Sequence, residues 1–258
     1  MRPQPFPGRS PRGFPSRILL VVLATAVTSL PAAWWIATGR AGEPPPVMLD
    51  PGHGGIDGGA SREGVLEKAI TLDVALRTRR HLEAFGVPVL LTREEDVDLG
   101  GPPGSGRHGR DLAERVRRTR EAGAALVVSL HVNSARDPEE EGMMFFYLQG
   151  SAEGERLARS LAGALASLHR RREGPVPRQN LYVLSRAGVP AVLVELGFLT
   201  NPGDRQRLSD PRYREQVALR LALALQAYYQ HLQRLPAPPA PEPAPGLPPY
   251  TGHPRHIY

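Results

Sequence analysis

The chain has 258 residues, a net charge of +6 and no cysteine, which excludes disulfides, thiolate metal ligands, a thiol nucleophile and lipid-modified cysteine. The excess charge sits at the ends: residues 1–40 hold five arginines and no acid, whereas residues 41–235 hold 26 basic and 25 acidic groups. A nearly neutral body gives no support to a nucleic-acid partner, and any metal site must be built from His, Asp and Glu.

Residues 1–17 set Arg2, Arg9, Arg12 and Arg17 among prolines and glycines, and an uncharged apolar run of 21 residues follows, Ile18 to Thr38. Ile18–Leu30 alone would supply the apolar region of a cleaved signal peptide, about 7–15 residues long. The continuation Ala32-Ala33-Trp34-Trp35-Ile36-Ala37 extends the run to bilayer-spanning length, and paired Trp suits the far interface. The long basic start and blurred cleavage site favour an uncleaved anchor. Either version leaves the arginines in the cytoplasm and exports everything after the run. Residues 39–46 (GRAGEPPP) read as a short, stiff spacer.

The stretch 47–67, VMLDPGHGGIDGGASREGVLE, begins as a buried strand and breaks at Asp50-Pro51 into a glycine-shaped loop presenting His53. Glu67 then opens a helical pattern through Ile70, Leu72, Val74, Leu76 and Leu82. A histidine and a carboxylate on one strand–loop–helix corner suit two ligands of one metal. By itself the stretch fits equally a glycine loop with a surface His and a Glu at a helix dipole.

Further on, Val87–Leu91 reads as a strand ending in Thr92-Arg93, and Gly100–Gly109 as a flexible loop with a solvated His108. Asp111–Ala122 reads as a helix whose Arg115, Arg117, Arg118 and Arg120 form a solvated face. Ala125–Leu130 is a strand delivering His131, and Met143–Leu148 is another. An amphipathic helix from Ala152 to His169 follows, closed by Arg170–Arg172 where cations favour the dipole. Leu181–Leu184 and Ala191–Leu196 read as the last strands and Arg212–Arg234 as the last helix. This alternation predicts one α/β domain over residues 47–235, a twisted, mostly parallel sheet of about six strands with helices on both faces. Residues 236–258 are Pro-rich, with little to bury, and read as disordered.

Three strands therefore run into ionisable groups: His53, His131-Val132-Asn133, and Glu195 inside the apolar stretch AVLVELGFL. A buried carboxylate is costly unless paired or neutralised, so Glu195 is either a structural ion pair, with Arg93 one candidate, or a tuned general base. His131 alone would suit a satisfied interior histidine. Neighbouring strands would bring His53, His131 and Glu195 to one edge beside Glu67. Two imidazoles and one carboxylate, with a fourth position for water, is the pattern of catalytic zinc, whereas calcium or magnesium would call for oxygen ligands. The chain has neither the HExxH pairing of one metalloprotease class nor a GxSxG nucleophile elbow.

At these residues the chain resembles the zinc-dependent N-acetylmuramoyl-L-alanine amidases of the bacterial cell wall, of the amidase-3 type. The likeness spans Val47 to Tyr229 through VMLDPGHGG, Glu67 at the first helix, VLLTR ending at Arg93, ERVRRTREAGAALVVSLHVNS and PAVLVELGFLTN. The resemblance implies hydrolysis of the amide between the lactyl group of N-acetylmuramic acid and L-alanine of the stem peptide. It implies His53, Glu67 and His131 as zinc ligands, Glu195 as the catalytic acid–base group and Asn133 as a substrate-positioning residue. It also implies a twisted sheet of about six strands, peptidoglycan as partner and a place in the cell envelope, either periplasm or the outer face of the inner membrane; a monomer is expected. Two departures stand out: loop 100–110 looks inserted, and Thr119-Arg120 replace the family's usual Ala-Asn. A helical plug that silences some members has no room between the strand at 143–148 and the helix at Ala152, so activity without an activator is expected. A silent peptidoglycan-binding or division-regulating relative and a zinc peptidase of stem peptides are the alternative readings.

The apolar run behind four arginines predicts that cell fractionation and external protease will find the folded domain outside the cytoplasm. Retention of residues 1–17 in the mature protein would mark an anchor, and their loss a signal. A cytosolic, protease-protected domain would contradict the reading.

Overall fold

In a computed structural model, residues 44–235 are described; the tail 1–17, the apolar run 18–38, most of the spacer 39–46 and the tail 236–258 lie outside the described residues. The anchor, signal and disorder expectations fall there. No helix among the described residues is long and apolar enough to cross a membrane.

From Val47 the chain alternates as its apolar runs require. Strand β1 (Val47–Pro51) leads through a small hairpin, β2 (Ser61–Arg62) and β3 (Val65–Leu66), into helix α1 (Glu67–Ala84). There follow β4 (Val89–Leu91), α2 (Arg107–Glu121), β5 (Leu126–Asn133), β6 (Met144–Leu148), α3 (Ala152–Leu165), β7 (Val176–Arg178), α4 (Tyr182–Arg186), β8 (Ala191–Phe198), α5 (Pro202–Ser209) and α6 (Pro211–Arg234). The sheet order is β4-β1-β5-β8-β6-β7, with every pairing parallel except that of β6 with β8.

Both faces of this sheet are covered, which is why its strands read as continuous apolar runs. Val128, Leu130, Val192 and Val194 point into a core shared with α1, α3 and α6. Their neighbours Val127, Ala191 and Leu193 point into a second core closed by α2 and α4. The chain leaves β1 for β4 on one side and returns to β5 on the other, so right-handed crossovers put α1 and α2 on opposite faces. That reversal between β1 and β5 is the position in an open α/β sheet where a ligand crevice forms at the carboxyl ends of the strands. Helix starts are fixed locally. Ser151 and Asn201 accept from the amides of Gly154 and Asp204, and Pro202 and Pro211 open α5 and α6.

The structure corrects several expectations. Leu181–Leu184 is not a strand; Tyr182–Arg186 is the short helix α4 that closes the second core. The short strand Val176–Arg178 takes the sheet edge instead. The helix expected to reach His169 ends at Leu165, so Arg170–Arg172 lie beyond it, where Arg171 pairs with Glu140 and donates to the Glu141 carbonyl. Helix α2 begins within the expected loop, at Arg107.

Arg115 is the largest correction. It does not share a solvated face with Arg117, Arg118 and Arg120, for it is 2 % exposed. Its guanidinium donates to Asp50 Oδ1 and Asp111 Oδ2, each at 2.7 Å, and to the carbonyls of Pro51 (2.7 Å) and His53 (2.8 Å). Asp50 also accepts from Thr92 Oγ1 at 2.6 Å and Ser129 Oγ at 2.7 Å. Burial alone would raise the Asp50 pKa, but the charge of Arg115 and these three side-chain bonds together hold it below the ordinary value.

Removing Arg115 strands a buried carboxylate, so Arg115→Met should cost about 3–5 kcal/mol of stability in urea unfolding. Because the folded pKa of Asp50 is depressed, its contribution is present above its unfolded value and fades as pH falls below about 4. Asp50→Asn should flatten that acid limb. An Arg115→Met variant as stable as the parent would contradict the network.

Candidate metal centre

His53 stands two residues beyond β1 with φ 60°, a left-handed backbone that non-glycine residues adopt only where the surroundings impose it. Here two arginines impose it. Arg115 holds the carbonyls of Pro51 and His53, while Arg93, also buried, donates to the carbonyls of Pro51 (3.0 Å), Gly52 (2.9 Å) and Lys68 (2.9 Å). Two glycines let the loop close against the donors. A Cβ at Gly52 would lie 2.3 Å from His131 Cε1, and one at Gly59 would lie 2.5 Å from Glu67 Oε2.

Glu67 opens α1, fully buried, where the helix dipole favours a carboxylate. Its Oε1 lies 3.1 Å from His53 Nε2 and 3.0 Å from His131 Nδ1, and accepts from the Val132 amide at 2.9 Å. Its Oε2 accepts from the Ala60 amide at 2.7 Å. The two imidazoles meet edge to face with centroids 5.1 Å apart. One donor atom from each of His53, Glu67 and His131 lies within 4.8 Å of the others, a candidate metal site. Burial opposes ionisation of Glu67, yet the two histidines hold its pKa at about 2. Burial likewise opposes the charged form of His53, but bonds to Asp57 and Glu67 and their charges raise its pKa to about 10. The centre asks for a positive charge, and two nitrogens with one carboxylate oxygen suit a divalent transition metal.

Glu195 lies beside this cluster, for its Cα is in register with that of His131 on the neighbouring parallel strand. It is fully buried, and neither carboxylate oxygen has a hydrogen-bond partner among the described residues. Burial first, and the charge of Glu67 second, push its pKa well above the ordinary value, with His53 opposing. The ion pair with Arg93 weighed from the sequence does not form, since Arg93 is committed to backbone carbonyls. A buried carboxylate next to a donor cluster, with no hydrogen-bond partner among the described residues, is a candidate acid–base group.

A cavity of about 320 Å³ adjoins the cluster on the α2 and α4 side. His53 and His131 line it together with Arg107, Tyr182, Leu184 and Leu193. Asn133 is not part of that lining: its amide donates to Met144 Sδ at 3.8 Å and its Oδ1 accepts from the Ser134 amide. His108, read as solvated, is only partly exposed and turns Nδ1 toward Asp57 Oδ2 at 3.7 Å. Sequence reasoning passed over Asp57, whose Oδ1 is 3.0 Å from His53 Nδ1. The available signal was a lone acid four residues after a histidine in a glycine loop.

In fold this is an α/β domain with a candidate metal site at the carboxyl edge of its mostly parallel sheet. Residues 47–227 match the Amidase_3 family, described as N-acetylmuramoyl-L-alanine amidase, and the chain belongs to that family. It is 35% identical over 187 residues to the germination-specific N-acetylmuramoyl-L-alanine amidase of Bacillus subtilis, covering 71% of this chain and 79% of that protein. Among solved structures, the CwlD amidase of Clostridioides difficile, in complex with the GerS lipoprotein, superposes with a TM-score of 0.69 at 28% identity. That match covers 73% of this chain and 100% of the other. AmiC2 of Nostoc punctiforme, an N-acetylmuramoyl-L-alanine amidase, superposes at 0.61 with 31% identity, over 72% and 97% of the two chains.

Because a Cβ at Gly59 would collide with Glu67 and His53, Gly59→Ala should lose most metal binding while keeping its helical circular dichroism. A metal titration beside a dichroism spectrum reads both. Undiminished binding would show that the loop can yield.

Proposed function

We propose that the chain hydrolyses the amide joining the lactyl group of N-acetylmuramic acid to L-alanine in peptidoglycan, as a zinc-dependent amidase. The observation that carries the reading is the cluster His53, Glu67 and His131 beside the buried, unpartnered Glu195, in a chain of the amidase family. His53 through Nε2, His131 through Nδ1 and Glu67 through Oε1 are the atoms that would hold the ion. When bound, zinc polarises a carbonyl and lowers the pKa of a water to about 7.

The remaining work falls to the chain. Glu195 takes a proton from the attacking water and returns it to the departing L-alanine nitrogen, a shuttle for which its pKa, raised above the ordinary carboxylate value by burial and then by the charge of Glu67, suits it. The cavity beside the histidines orients one flank of the scissile amide, its α4 wall supplying apolar contact. Asn133 is assigned the positioning of substrate from the far end of β5. Three residues separate β6 from α3, so activity requires no displacement of a plug between them.

A peptidoglycan amidase works outside the cytoplasmic membrane. That agrees with residues 1–17 as a cytoplasmic basic tail, 18–38 as anchor or signal, 39–46 as linker and 47–235 as the catalytic domain.

The assignment separates the two glutamates. Glu67→Gln should lose zinc and activity together, while Glu195→Gln should keep zinc and lose turnover by at least about 10²–10⁴-fold. Zinc titration beside mass spectrometry of peptidoglycan digests tests both. Free lactyl ends with intact stem peptides are expected. Shortened peptides would indicate a peptidase, no product a silent domain, and near-normal turnover in Glu195→Gln would overturn its role.

A further inference from the structure

Taking the zinc reading as given, we infer that Asp57 is the carboxylate that fixes the ring of His53, so that Nε2 faces the metal and Nδ1 keeps its proton. Two carboxylates bracket that imidazole: Asp57 Oδ1 stands 3.0 Å from Nδ1 and Glu67 Oε1 3.1 Å from Nε2. Oxygen acceptors at hydrogen-bond distance from opposite nitrogens define one ring orientation, since a flipped ring would turn carbons toward both. His131 is arranged the other way, with Nδ1 toward Glu67. The two histidines thus offer the ion different nitrogens.

Asp57 is itself held from several sides, as an orienting group must be. Its amide donates to the Gly54 carbonyl at 3.1 Å and its carbonyl accepts from the Gly54 amide at 2.9 Å, closing a turn just behind His53. Oδ1 also accepts from the Gly59 amide at 3.1 Å. Oδ2 faces Arg107 Nη2 and His108 Nδ1, both at 3.7 Å, from the first turn of α2. Arg107 pairs in turn with Asp98, and Arg110 ties α2 to the carbonyls of Gly100, Pro102 and Ser105. The segment that looks inserted in the sequence thereby ends on the oxygen behind a metal ligand. A carboxylate behind a ligating imidazole fixes its tautomer and increases its basicity, and removing such a partner commonly costs 10–100-fold in metal affinity. Asp57 is a positioning residue, acting through His53.

The full chain and its Asp57→Asn and Asp57→Ala variants would be titrated with zinc against a competing chelator, with folding followed by circular dichroism. Nitrogen-15 spectra would report the tautomer of His53. The expected order of zinc affinity is parent, then Asn, then Ala, with Ala weaker by about 10–100-fold. In zinc-loaded parent, His53 should carry metal on Nε2 and a proton on Nδ1, and the exchange-protected, downfield Nδ1 proton signal should vanish in Ala. Asp57→Asn preserves size and an acceptor, so it keeps the test open if Ala does not fold. Folded variants that bind zinc like the parent, or a parent His53 bound through Nδ1, would overturn the inference. A parent that binds no zinc at all would instead overturn the zinc reading beneath it.

Discussion

Two buried guanidinium groups hold the turn that carries His53, and everything at the site depends on them. Arg115 and Arg93 converge on the carbonyls of Pro51, Gly52 and His53 from opposite sides of β1. A backbone leaving a strand with φ 60° at a histidine does not persist unless such contacts over-determine it. The cost of burying Arg115 is offset by two aspartates, and Asp50 in turn collects hydroxyls from Thr92 and Ser129. One buried ion pair thus ties the ends of β1, β4 and β5 to helix α2, beneath the candidate metal centre.

Above that floor the charges divide by environment. Glu67 and Glu195 are both fully buried, yet their pKa values move in opposite directions. Glu67 gathers two histidines and two backbone amides, which favour its anion. Glu195 has no hydrogen-bond partner among the described residues, and burial, followed by the negative charge of Glu67, disfavours its anion. Two carboxylates of one residue type are thereby held in opposite electrostatic states by their surroundings. The candidate metal site lies within the residues that match the amidase family.

The topology supplies the meeting place. Strands β1, β5 and β8 are parallel neighbours, so their carboxyl ends share an edge, and the reversal of connection beside β1 leaves a crevice there. Helix α4 and the first turns of α2 wall the cavity on one side. The first turn of α2 reaches the site through Arg107 and His108.

Local chemistry determined much of this in advance. Apolar runs of four to eight residues between helical patterns imply a covered parallel sheet, and glycines around His53 imply a sharp loop, because both signals lie within a few residues of one another. His53, Glu67 and His131 could be picked out because each stands near the carboxyl end of a strand or at the start of a helix, and Glu195 because it is a lone acid in an apolar run. What the sequence could not decide was which polar groups lie inside. Arg115 sits among Arg117, Arg118 and Arg120 with nothing local to distinguish it; its burial depends on Asp50, 65 positions away. Leu181–Leu184 is too short for its apolar character to separate strand from helix, and packing against α2 decided for helix. Asp57 acquired its place only when the loop folded back on His53 and α2 closed behind it. Periodicity records which faces avoid water, but the pairing of buried charges across the chain is a property of the tertiary structure alone.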